Sequence, residues 1–181
     1  MKFTFSRFIS HIFLIFIGGC LATNSNKDIE WIGKINPTPP AGYVIKTSTT
    51  VRTDPASPMR ESYGIDAFSG ANQWIILLTR LTYSENNKAQ NIIVDAKIIQ
   101  NVSNNLKIYT DFCGYKEQWP SDSKSEKPFV SGIIAIGDLN KDRSFNDTLL
   151  WAASIDAVKG KLNVLDPTKE VCMNISLSDG G

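Results

Sequence analysis

The densest run of oxygen-bearing side chains in this chain is Asp138-Leu-Asn-Lys-Asp-Arg-Ser-Phe-Asn-Asp147. Asp138, Asn140, Asp142 and Ser144 alternate along it. A hard cation such as calcium takes several oxygens from a tight turn, and alternate positions of such a loop point inward. The spacing matches the first half of an EF-hand-type loop, with Phe145 at the apolar eighth place and Asn146 at the ninth. Two positions depart from it. Arg143 stands where glycine permits the sharp bend, and Leu149 where a bidentate glutamate belongs. The run reads either as a weak calcium site or as a polar turn whose Asp and Asn side chains bond their own backbone. The departures favour the turn.

Other chemistry is limited by what the chain lacks. Its one histidine, His11, lies in the apolar N-terminal stretch. Without a second histidine, Ser–His and Cys–His nucleophile pairs cannot form in the rest of the chain. No glycine-rich phosphate loop follows a strand-like segment. Carboxylates alone suffice for glycoside hydrolysis, and Asp66, Asp138 and Asp142 are the nominees, but their spacing shows no convergence. The expectation is a non-enzyme with no cofactor beyond weak calcium. For a contact surface, the segment Tyr115-Lys-Glu-Gln-Trp-Pro120 offers Tyr115 and Trp119 in a loop.

The N-terminus carries a different signal. Lys2 and Arg7 precede the apolar run Ile12-Phe-Leu-Ile-Phe-Ile17, and Gly18-Gly-Cys20 follows. That order reads as a bacterial secretory leader, and Ile17-Gly18-Gly19-Cys20 resembles the lipobox of envelope lipoproteins. The resemblance implies cleavage before Cys20, lipid on its sulfur, and membrane attachment through that lipid. With Leu21 next, it also implies the outer membrane of a Gram-negative cell. Cleavage after Ala22 and an uncleaved anchor are the competing readings. Arg7, Ser10 and His11 interrupt the roughly 20 apolar residues an anchor needs. The expected partners are the membrane and an envelope protein or glycan. Loss of Lys2 and Arg7 from 19 basic residues, against 18 acidic ones, leaves about one net negative charge. Nucleic acid is therefore not an expected partner.

In an exported chain with Cys20 lipidated, Cys113 and Cys172 remain as an even pair, expected to be bonded to each other. Residues 20–41, with Asn36-Pro-Thr-Pro-Pro40, read as a flexible tether carrying a domain over 42–179. There the period is two. Gln73–Tyr83 is apolar on both faces in its first half, which predicts a central strand. A second strand is expected over 91–99, with Ile92, Val94, Ala96 and Ile98 on one face and Asp95 and Lys97 on the other, and a third over 106–112. These three are expected to form a meander. Further strands are predicted over 42–48, 129–136, 149–155, 161–165 and 171–177, while 52–72 and 114–128 read mainly as loop. Trp74 and Trp151 belong to the core, and Trp31 and Ile32 are expected to dock on the domain. The fold class is mainly β, a single antiparallel domain forming a barrel or sandwich; the alternative is α+β with one short helix. By strand parity both Cys113 and Cys172 lie on polar faces, so their bond should staple the outside of a sheet or link a strand end to a loop.

Overall fold

The computed structural model describes residues 29–51, 62–110, 112–118, 130, 132–138, 145–146 and 148–173. The protein is mainly β. Its strands in chain order are β1 (Val44–Val51), β2 (Tyr63–Ser69), β3 (Gln73–Tyr83), β4 (Ala89–Gln100), β5 (Lys107–Tyr109), β6 (Cys113–Tyr115), β7 (Ile133–Gly137), β8 (Phe145–Asn146), β9 (Leu149–Asp156), β10 (Lys161–Leu165) and β11 (Glu170–Met173). Among the described residues all pairings are antiparallel. They make three open sheets, ordered β1-β2-β3-β4, β10-β9-β7-β5 and β6-β11-β8. None closes into a barrel, so the sandwich is the correct alternative. The described helical segments are three-residue 3₁₀ turns, which removes the α+β option for this part of the chain.

β3 is central in the first sheet, as its two apolar faces require. Trp74, Ile76 and Leu78 face the second sheet, where they meet Ile134, Ile136, Trp151 and Ala153 in the main core. Ile75 and Leu77 face the opposite side with Phe68, Ile93 and Ile98. The second sheet is covered on both faces as well. Ile134 and Ile136 point to the main core, while Ile133 and Ala135 meet the third sheet around Cys113 and Cys172. Each fully buried aliphatic side chain of this kind contributes about 1.5–3 kcal/mol.

Three sequence expectations fail on strand assignment, and a fourth strand is present with shifted bounds. Residues 63–69, read as loop, form β2, buried along most of its length. The expected third strand of the meander is only Lys107–Tyr109, and it pairs with β7 in the second sheet instead of with β4. The strand expected over 129–136 is Ile133–Gly137. The presumed loop after Cys113 begins with the strand β6.

The expected facing of β4 holds from Asp95 onward and fails before it, because of a change of register. Between Leu78 and Thr79 the β3–β4 pairing shifts, so Leu78 opposes Asp95 while Thr79 opposes Ile93. Val94 is the extra residue of a bulge. Ile93 therefore takes the place of Val94 on the outer face with Ala96 and Ile98, while Asp95 and Lys97 lie on the opposite face, as expected. The Asp95 carboxylate accepts a 2.7 Å hydrogen bond from the Leu162 amide on the edge strand β10 and lies 3.3 Å from Lys97 Nζ. An inward charge that caps an edge amide satisfies that donor and blocks further pairing there.

The cysteines are likewise not on an outer face. Their sulfurs lie 2.06 Å apart, at bonding distance, and the residues oppose each other across β6 and β11. Both are wholly buried, because the third sheet lies over the second and its polar-looking face becomes a core.

The stretch expected to be a flexible tether is docked over its described part. Gly33 and Asn36 donate to the carbonyls of Ile93 and Asn91, and Ile93 donates to Lys34, so residues 33–36 cover the β4 edge. Trp31 packs on the outer apolar face, as expected, together with Tyr43. Ile32 stays about half exposed.

Candidate functional site

The outer face of the first sheet is divided in two. Toward Trp31 and Tyr43 it is apolar and buried. Toward the start of β2 it turns polar, because two rows of paired residues cross the sheet there: Ser48–Asp66–Leu77 and Thr50–Gly64–Thr79. Gly64 makes the floor concave. A Cβ at that position would come within 2.6 Å of Thr79 Oγ1 and 3.4 Å of the Thr49 carbonyl, so only glycine fits. The result is a cleft of about 180 Å³ lined by Ser48, Thr50, Ser62, Asp66, Thr79, Leu81 and Asn91, among others. At roughly 30 Å³ per water, that is room for about six waters.

Asp66 is the only acid lining this cleft among the described residues. It is half-buried. Burial pushes its carboxyl above the ordinary value, and a hydrogen bond from the Ser48 hydroxyl pulls the other way. Hydroxyls both donate and accept, and a carboxylate accepts several hydrogen bonds. The lining therefore matches a ligand rich in hydroxyl groups.

Of the sequence-nominated residues that the structure describes, Asp66 lines the cleft, and Asp138 and Tyr115 do not. Asp138 is exposed at the end of β7, in the second sheet, where its backbone carbonyl accepts a 3.4 Å hydrogen bond from Tyr109. Asn140, Asp142 and Ser144 lie outside the described residues, as do Trp119 and Cys20. Phe145 and Asn146, the eighth and ninth places of the calcium-like run, belong to β8 and pair with β11. Tyr115 is not in a loop. It ends β6, half-buried against the disulfide cluster, which removes most of it from any contact surface. Among the described residues, no group of three or more His, Cys, Asp or Glu side chains is placed to hold a metal ion. None of the described helices is long and apolar enough to cross a membrane.

The cleft is hidden in the sequence because β2 is. The alternation of Tyr63, Ile65 and Ala67 with Gly64, Asp66 and Phe68 was the available signal. Gly64, Gly70 and the nearby prolines concealed it. No protein-family model, curated protein or solved structure matches the chain.

Proposed function

We propose that this protein is a membrane-anchored bacterial lipoprotein, held by lipid on Cys20, whose β domain is a non-catalytic binding module of the cell envelope with a glycan as its ligand. The supporting observation is the hydroxyl-lined cleft around Asp66, with a single carboxylate among its described lining residues. Glycoside hydrolysis needs two acids facing each other across the bond, about 5–10 Å apart. The cleft pairs Asp66 with hydroxyls instead. Such a lining forms hydrogen bonds without supplying a proton donor and a base together.

The raised carboxyl of Asp66 is the one feature that favours the alternative, a histidine-free glycan hydrolase, because a general acid must stay protonated. One experiment separates the two. A panel of neutral oligosaccharides is titrated into the protein by calorimetry, and the sugars are afterwards analysed for new reducing ends. The binding reading expects saturable heat, its loss in Asp66→Ala, and intact sugar. New reducing ends that vanish in Asp66→Ala would establish hydrolysis. No heat with any sugar would remove the glycan.

A calcium-dependent adhesion role remains a third proposal, resting on the alternation of Asp138, Asn140, Asp142 and Ser144. Titration of millimolar calcium into the wild type and an Asp138→Ala, Asp142→Ala double variant tests it. Identical responses would dismiss the site.

A further inference from the structure

A larger concavity lies where the first sheet meets the β9–β10 turn. It measures about 720 Å³, and its walls are Tyr63, Arg80, Leu81, Thr82 and Val94 on one side and residues 157–160 on the other. Arg80 and Lys159 are its only charged lining residues among those described, and both are cations. Arg80 is exposed and has no ion pair with any described residue. Lys159 Nζ lies 3.1 Å from the Asp156 carboxylate, so its charge is partly neutralised.

The walls are fixed before any ligand arrives. The Tyr63 hydroxyl donates a 2.7 Å hydrogen bond to the Ala157 carbonyl, tying the turn to β2. Asp156 accepts a 3.0 Å hydrogen bond from the Lys159 amide, which holds the turn closed on itself. Gly160, at φ +61°, completes the bend in a conformation that side chains disfavour. At the rim stands Val158, 97% exposed, with Leu81 and Val94 in the wall. A valine left bare beside two cations on a braced turn offers an apolar contact next to a positive one.

We propose that this groove binds an oxyanion carried on an apolar body, with Arg80 as the principal anion contact. The planar guanidinium presents paired donors that match phosphate or carboxylate oxygens, which a lysine ammonium does not. Val158, Leu81 and Val94 take up the apolar part. The groove shares Tyr63 and Leu81 with the Asp66 cleft, but its charged residues are its own and the proposal does not rest on the glycan reading.

The test is an NMR titration of the full chain with hexyl phosphate below its micelle concentration, inorganic phosphate and hexanol. Hexyl phosphate should saturate, shifting the amides of Arg80 and residues 157–160, and should bind several-fold more tightly than inorganic phosphate. Hexanol should show no saturable binding. Arg80→Gln should weaken hexyl phosphate about tenfold or more, since a charge-assisted pair is lost. Arg80→Lys should recover part of that loss, and Lys159→Gln should cost only about threefold because Asp156 already shares its charge. Lys169→Gln, which removes an exposed cation elsewhere, controls for net charge and should have no effect. Equal affinities for wild type and Arg80→Gln would overturn the proposal. So would equal weakening by Lys169→Gln, or hexanol binding as tightly as hexyl phosphate.

Discussion

Removing the Cys113–Cys172 link should cost this protein a large share of its stability, and the loss should begin in the third sheet. The two cysteines are 59 positions apart. Closing a loop of that length removes chain entropy from the unfolded state equivalent to about 4 kcal/mol at 25 °C. Typical domains have only about 5–15 kcal/mol in total. The third sheet has little else to hold it, since β6, β11 and β8 contain three, four and two residues. Isolated pairings of that size are not stable in water. The comparison should be made between the oxidised wild type and the Cys113→Ala, Cys172→Ala double variant, by urea denaturation and by amide exchange. We expect a loss of about 4 kcal/mol, equivalent to a fall of roughly 10–20 °C in Tm for a domain this size. Amides of β6 and β11 should exchange faster than those of β3 and β4. A loss below about 1 kcal/mol, or uniform loosening of all three sheets, would refute the argument.

Further expectations concern single residues. Glu170 is buried with Oε2 lacking a partner, and its carboxyl is pushed up first by desolvation and then by Asp166 and Glu117. Its folded pKa exceeds its unfolded one, so its stabilising contribution is full below the unfolded value and fades as pH rises through the folded value. Glu170→Gln should therefore raise stability at pH 7 by about 1–2 kcal/mol, with the gain shrinking toward pH 4. Tm measured across that range would contradict this if the gain grew in acid. Asp95→Ala strands the Leu162 amide and leaves Lys97 without its carboxylate. It should cost about 2–3 kcal/mol in denaturant and speed exchange at Leu162; an unchanged midpoint would show that the cap is dispensable. Gly64→Ala forces a methyl against Thr79 and should cost about 1–3 kcal/mol, a cost that Thr79→Ser, with its smaller side chain in the background, would not deepen.

Much of the fold was legible because period-two patterning reports burial directly. Gln73–Tyr83 coincides with β3, whose two apolar faces mark it as central, and both Trp74 and Trp151 are in the core. Legibility failed where a third layer or a local irregularity changed what the pattern meant. Cys113 and Cys172 share faces with polar residues, yet the overlying sheet buries them. The bulge at Val94 puts Ile93 instead of Val94 on the face of Ala96 and Ile98, since a one-residue offset inverts the side chains beyond it. Long-range pairing left no local trace either. Nothing in residues 107–109 shows that they leave the meander to join β7. Of the candidate site, the sequence offered Asp66 alone. The hydroxyls of Ser48, Thr50 and Thr79 join it only through pairing across three strands.

The glycan-binding reading is tested most directly by following the full-length protein and a neutral oligosaccharide together by NMR over hours. Saturable shifts at Ser48, Thr50, Gly64 and Asp66, with the sugar intact at the end, are the predicted result. Shifts elsewhere with none in that cleft, or a sugar cut while it sits there, would contradict it.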